Sequence, residues 1–305
     1  MECRSLQSFS RLKVQFFNRA RFRSKYWRYL RQKLVMSVIS SAPIGIFDSG
    51  IGGLTVAQAV KRELPNEQIV YFGDTAHLPY GDKSTAAIQA YCVKITQLLL
   101  EKGCKLILIA CNSASAAGFD LVKEYVGKKI KVLNVIDPVV DYLRERYPGK
   151  KVGLIGTKQT VNSKVYEQKV RSLGQGITLY SLATPLLVPM IEEGFFNGEI
   201  SEKIIEKYLN HPGLENLEAI ILGCTHYPLI KQPIQNFYGP EIEVIDSSEI
   251  VARALKAFLG FHNLYNRNPT NVDHFMVSDY TDSFEESTRQ FFGETINLEL
   301  TPLWD

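Results

Sequence analysis

The chain has 305 residues, 45% of them hydrophobic and 22% charged, an ordinary globular composition with length for about two domains. No run approaches the ~18 apolar residues of a membrane-spanning helix. Five cysteines (Cys3, Cys92, Cys104, Cys111, Cys224), an odd number without a Cys-x-x-Cys pair, argue against a disulfide scaffold or zinc ribbon and for a reducing compartment.

The net charge of +3 hides an asymmetry: residues 1–35 hold ten Lys/Arg against Glu2 alone and carry +9, and the remainder carries −6. Phe16, Phe17, Phe22, Tyr26, Trp27 and Tyr29 interleave with these charges. Nucleic-acid arms, membrane-surface helices and transit leaders share such a composition. The plainer reading, which we favour, is a flexible extension, or translated sequence upstream of a start at Met36. It lacks the apolar core of a secretory signal. Neither a membrane nor a nucleic acid is expected as a partner.

From Pro43 onward, apolar runs alternate with helical patterns. Ile44–Phe47 reads as a strand ending in Asp48-Ser49-Gly50-Ile51-Gly52-Gly53. A helix follows from Leu54 to about Leu64, where Pro65 stops it. Ile69–Phe72 is the next strand, followed by a loop through Gly81-Asp82. Ser84 caps a helix running to about Lys102. Leu106–Ala110 is a strand leading into Cys111-Asn112-Ser113 and a helix of small residues, and Val132–Ile136 is another strand. Strands spaced by helices imply βαβ units and a parallel sheet. In the tail, His274–Val277 reads as a strand and Ser283–Phe292 as a helix, expected to pack on the first domain.

The chain then starts again. Val152 to Thr157 echoes Ile44 to Ser49, offset 108; Tyr180 to Thr184 echoes Tyr71 to Thr75, offset 109. Val244-Ile245-Asp246 repeats Val135-Ile136-Asp137, offset 109, and Ile221 to Thr225 echoes Leu108 to Asn112, offset 113. Four echoes in one order argue for two related α/β halves. In open parallel sheets, functional residues collect at the carboxyl ends of strands. Cys111 and Cys224 both fall there, at equivalent positions, so halves facing across a cleft bring two thiols to one ligand from opposite sides.

A lone cysteine ending a strand is ordinarily a small buried hydrophobe. Here each is followed by ligand-binding types, Asn112-Ser113 and Thr225-His226, and each is expected where a helix begins, which lowers thiol pKa. Disulfide exchange needs sulfurs almost in contact, and zinc needs four ligands that no second Cys/His pair supplies. Two-base proton transfer at a stereocentre fits opposed thiols best, one removing a proton and the other delivering one. The glycine-rich turn matches neither a phosphate loop nor a dinucleotide fingerprint. It is expected to offer backbone N–H groups to a carboxylate. Asp48 either holds an ammonium group, orients a base, or simply caps the helix.

Gly45 to Thr55, Tyr71-Phe72-Gly73-Asp74, Pro79-Tyr80-Gly81, Ala110 to Ala116 and Gly223 to Leu229 together resemble the glutamate racemases, of the cofactor-independent aspartate/glutamate racemase superfamily. The resemblance spans about Pro43 to Phe261. It implies Cys111 and Cys224 as catalytic acid/base pair, assisted by Asp48 and His226. Substrate-binding pairs follow: Asp48 and Ser49, Tyr80 and Gly81, Asn112 and Ser113, Thr225 and His226. Glu192 matches a further acid near the site, with Glu193 adjoining it. Ser113 stands where family members usually have Thr; the hydroxyl is retained. His226 replaces the Glu usual in aspartate-specific relatives.

The implied fold is α/β, with two pseudo-symmetric flavodoxin-like domains of parallel sheets and the active site in the cleft between them. Residues 1–42 would be the basic extension, 43–134 with 246–305 the first domain and 135–245 the second. The implied activity is interconversion of l- and d-glutamate for peptidoglycan in a bacterial cytoplasm, with no cofactor or metal, as a homodimer, with a cell-wall precursor as activator in some members. Rival readings are another superfamily racemase or decarboxylase, and a solute-binding module. A decarboxylase needs one proton donor and a binding module neither thiol. His77, His211, His262 and His274 read as structural or surface residues.

Overall fold

The structure, a computed structural model, describes residues 40–128, 130–267 and 272–304. The basic extension assigned to residues 1–42 lies outside the described residues as far as residue 39. No helix among the described residues is long and apolar enough to cross a membrane.

The first half forms strands β1 (Ile44–Asp48), β2 (Ile69–Gly73), β3 (Leu106–Ile109) and β4 (Lys131–Asn134), joined by helices α1 (Leu54–Glu63), α2 (Thr85–Glu101) and α3 (Asn112–Val126). Helix α4 (Ile136–Arg146) leads to the second half: β5 (Lys151–Gly156), α5 (Lys158–Asn162), α6 (Val165–Ser172), β6 (Thr178–Ala183), α7 (Leu187–Glu192), α8 (Glu199–Leu209), β7 (Ala219–Gly223), α9 (Lys231–Tyr238) and β8 (Glu243–Asp246). Helix α10 (Ser247–Phe261) returns to the first half, packing on α1 and α4. Strand β9 (His274–Val277), α11 (Asp282–Phe292) and β10 (Leu298–Leu300) complete the chain.

The strands form two sheets, ordered β10-β9-β2-β1-β3-β4 and β6-β5-β7-β8, with parallel pairing throughout. Strands β1, β2 and β3 are buried along their whole length. That is why they read as continuous apolar runs rather than alternating ones. The caps follow the sequence: Ser84 Oγ accepts the Ala87 N–H at 3.3 Å and starts α2. Strand β9 joins the first sheet, pairing Phe275 with Tyr71. One apolar cluster runs from Leu54 and Val56 through Ile155 and Tyr227 to Leu255, so the lobes share a core beneath the cleft.

The order β2-β1-β3-β4 recurs as β6-β5-β7-β8, the internal repeat expressed as topology. Ile44 pairs with Leu106 and Val152 with Ala219, so the offsets of 108 and 113 meet in register. The other two echoes join non-equivalent positions. Ile44 pairs with Ile69 but Val152 with Leu179, so Ser181, not Tyr180, takes the place of Tyr71. Val135-Ile136-Asp137 enters α4, whereas Val244-Ile245-Asp246 lies in β8. Strand β4 thus stops at Asn134, short of the expected Ile136, because the Asn134 carboxamide Oδ1 accepts the N–H groups of Ile136 and Asp137, both at 2.8 Å, and starts the helix. Its register equivalent, Asp246, caps α10 by accepting the Ser248 N–H at 2.9 Å.

Candidate active site

The carboxyl ends of β1 and β3 face those of β5 and β7, and the sequence-identified residues gather between them. Asp48 ends β1, fully buried, and its Oδ2 accepts the N–H groups of Gly50 at 3.1 Å and Gly53 at 3.0 Å. The Gly50 and Gly53 donors of the turn are therefore spent on the chain's own carboxylate. A desolvated carboxylate takes the nearest donors. Burial raises the Asp48 pKa, against the opposing pull of His226 and of the turn's N–H groups. The turn admits no side chain at Gly52 or Gly53: a Cβ there would stand 2.4 Å from the His226 ring or 2.4 Å from the Asp48 Cβ.

Cys111 caps α3, its sulfur accepting the Ala114 N–H at 3.4 Å and donating to Ser49 Oγ at 3.7 Å. The helix terminus was expected to lower its pKa. Instead burial, and then the Asp48 charge, pushes the thiol up to about 12, outweighing the Ala114 N–H and the Ser49 hydroxyl. Its surroundings thus disfavour the Cys111 thiolate.

Cys224 follows β7. Here the expected helix start is displaced: a 3-10 turn with Pro228 spans Tyr227–Ile230, and α9 begins only at Lys231. The sulfur lies 3.7 Å from His226 Nδ1, and His226 Nε2 lies 2.9 Å from Glu192 Oε1. Burial pulls the His226 imidazole down, but the Cys224 and Glu192 hydrogen bonds and charges outweigh it and hold its pKa well above the ordinary value. Glu192 makes this contact; Glu193 is exposed. Phe291 of α11 meets the His226 ring edge-on, centroids 5.3 Å apart.

The lobes also touch directly. Thr55 Oγ1 donates to the Thr225 carbonyl at 2.9 Å, and Thr225 Oγ1 to Asp48 Oδ1 at 3.5 Å. Ser113 Oγ lies 2.8 Å from Thr157 Oγ1, and a Cβ on Gly81 would meet Thr157 at 2.8 Å. Asn112 accepts the Tyr166 hydroxyl at 2.9 Å on Oδ1, while its Nδ2 is buried without a protein partner. Tyr80 commits its hydroxyl to Asp74 at 2.6 Å. Ser49, Tyr80, Gly81, Asn112, Ser113 and Thr225 border one pocket with both thiols, His226 and Glu192, and its enclosed volume is about 20 Å³. That is room for about one water. A larger groove of about 840 Å³, between α4 and α10, holds none of these residues.

Sequence reasoning passed over Thr157 although a signal existed: it follows Gly156 as Ser49 follows Asp48 in the 108-residue echo. Thr55 lay within the Gly45 to Thr55 stretch without being singled out, and Tyr166 and Phe291 carried no local signal. Cys92, Cys104, Cys111 and Cys224 are free thiols, and among the described residues no three His, Cys, Asp or Glu side chains are grouped to hold a metal ion. Of the other histidines, His77 and His211 stack on Tyr91 and Tyr180, His262 packs against Phe258, and His274 pairs with Glu299.

A family model described as Asp/Glu/Hydantoin racemase matches residues 54–255. A glutamate racemase of Chlorobaculum parvum is 41% identical over 263 residues, covering 86% of this chain and 96% of that protein. The crystal structure of a Francisella tularensis glutamate racemase in complex with d-glutamate superposes with a TM-score of 0.81 at 38% identity, covering 87% of this chain and 99% of that one. A Thermus thermophilus glutamate racemase in complex with beta-chloro-d-alanine gives 0.76 at 35% identity, covering 86% and 97%.

Proposed function

Because the chain belongs to the Asp/Glu/Hydantoin racemase family and is an amino-acid racemase, we propose that it interconverts l- and d-glutamate by proton transfer between the α-carbon and two thiols, Cys111 and Cys224. One observation carries the mechanism: the cysteines follow equivalent strands of two repeated lobes and border a single pocket. One sulfur, as thiolate, takes the α-proton; the C–H electron pair passes to Cα and its carboxylate. The opposite thiol then gives its proton to the other face. The number of protons is conserved, and the two sulfurs exchange roles.

The two sulfurs stand in different surroundings. Cys111 holds its proton, since burial and Asp48 disfavour its thiolate. Cys224 lies 3.7 Å from the His226 imidazole, whose pKa is held well above its ordinary value by its contacts with Cys224 and Glu192. The buried, unpartnered Asn112 Nδ2 and the Ser49, Ser113 and Thr225 hydroxyls supply donors for the substrate carboxylates. Fixed dipoles in a site with water expelled stabilise the carbanion. The wider reading includes a division into 43–134 with 246–305 and 135–245, a homodimer, a role in cytoplasmic peptidoglycan supply, and sensitivity to a cell-wall precursor.

Proton NMR of l-glutamate with the protein in D2O, followed alongside by circular dichroism, tests the activity. The α-proton signal and the ellipticity should decay together. Persistence of both in folded protein, with and without added cell-wall precursor, overturns the glutamate assignment. Gly52→Ala should push the His226 ring from its seat and cut kcat by on the order of 10²-fold, since a small misplacement in an active site costs that much. An unchanged kcat would show that His226 does not need this position.

A further inference from the structure

The pocket's edge at Pro79-Tyr80-Gly81 hangs on a buried carboxylate, that of Asp74, one residue past β2 and fully buried. Among the described residues, four side chains supply its hydrogen bonds. Tyr80 OH donates to Oδ2 at 2.6 Å, Ser278 Oγ to Oδ1 at 2.9 Å and Trp304 Nε1 to Oδ1 at 2.7 Å, and His77 Nδ1 lies 3.0 Å from Oδ2. A buried carboxylate is tolerable only while such partners are in place. Two of them, Ser278 and Trp304, follow β9 and β10, well beyond the 54–255 segment that matches the family model.

The indole is keyed in by more than one bond. Its ring meets His77 edge-on with centroids 4.5 Å apart and Tyr91 at 5.2 Å, while Tyr91 stacks on His77 at 4.0 Å and tilts against Tyr80 at 5.5 Å. Leu303 and Trp304 pack on the apolar cluster that contains Tyr80 and Cys111. Asp74 is also tied to the site through its main chain, its N–H donating to the Asp48 carbonyl at 3.0 Å.

We propose that Trp304 is a positioning residue for substrate binding: through Asp74 it fixes Tyr80, and with it the turn that closes the pocket against Thr157. The proposal rests on the racemase reading above. Contact with substrate belongs to the turn; the indole sets where the turn stands. Losing it frees one Asp74 oxygen from its shortest donor, lets Tyr80 shift, and loosens the wall beside Cys111.

Trp304→Phe tests this, keeping an aromatic ring and removing the N–H. Loss of a hydrogen bond to a charged group should raise the KM for glutamate by about tenfold, with kcat within about twofold. In a Tyr80→Phe background the same change should add less than about twofold, because both act through Asp74. Alkylation by iodoacetamide, read peptide by peptide, needs no turnover: Cys111 should label several-fold faster in Trp304→Phe, with buried Cys104 unchanged. An unaltered KM and Cys111 rate, a full multiplicative loss in the double variant, or Cys104 accelerating in step with Cys111 would each overturn the proposal. If the unsubstituted protein fails to racemise glutamate, the activity reading falls, and the Cys111 and Cys104 labelling rates still decide the role of Trp304.

Discussion

Replacing either cysteine, Cys111→Ala or Cys224→Ala, should lower racemisation by about 10³-fold or more, since loss of a general acid or base typically costs about 10²–10⁴-fold. Both sulfurs are buried at the edge of an apolar cluster, and each borders the pocket from its own lobe. The loss should come without unfolding, because alanine keeps the β3 and β7 strand ends and removes only a small side chain. The diagnostic result is stereochemical. With one thiol gone, the other can still take a proton from its own face and return a deuteron there. Each variant in D2O should therefore exchange the α-proton of one enantiomer without inverting it, and the two variants should choose opposite enantiomers. Exchange of both enantiomers by a single variant, or full racemisation by either, would remove the two-base mechanism.

Glu67→Gln should cost about 3–5 kcal/mol of stability, the loss usual when a buried ion pair is broken by removing one partner. Lys105 and Glu67 are both buried, 2.5 Å apart, and the ammonium also donates to the carbonyls of Ser40 at 2.6 Å and Leu264 at 2.9 Å. Glu67 Oε1 accepts the Asn266 N–H at 2.8 Å. The pair thus ties the segment before β1 to the segment after α10. Burial pulls the Lys105 pKa down and Glu67 holds it up, so the neutral partner leaves a charge with little compensation. Urea unfolding measures the loss. The double change Lys105→Met with Glu67→Leu should recover most of it, since apolar residues of similar volume replace such pairs at little cost. A Glu67→Gln midpoint equal to that of the unsubstituted protein would refute the assignment.

These two predictions draw on different information. The thiols could be found along the chain: each ends an apolar run, each precedes polar residues, and the echo of one half in the other marks them as equivalent. Register is a three-dimensional property, however, and the identical Val-Ile-Asp tripeptides proved to occupy a helix start and a strand. Two apolar residues before an acid satisfy either setting, and it is Asn134 that ends β4 and starts the helix.

What the sequence by itself determined was the alternation of strands and helices, the repeated α/β halves, and the identity of the residues at the strand ends, because these depend on local patterning and on chain order. What only the tertiary structure decided was who touches whom and what that does to charge. Trp304 reaches Asp74 across 230 positions and Thr55 reaches Thr225 across 170, with no local pattern naming either partner. The Cys111 thiol stands at a helix terminus, which by itself favours the thiolate, yet it is held as a thiol. Exclusion of water is a collective result of packing both lobes, and desolvation outweighs the few N–H dipoles at the end of one helix.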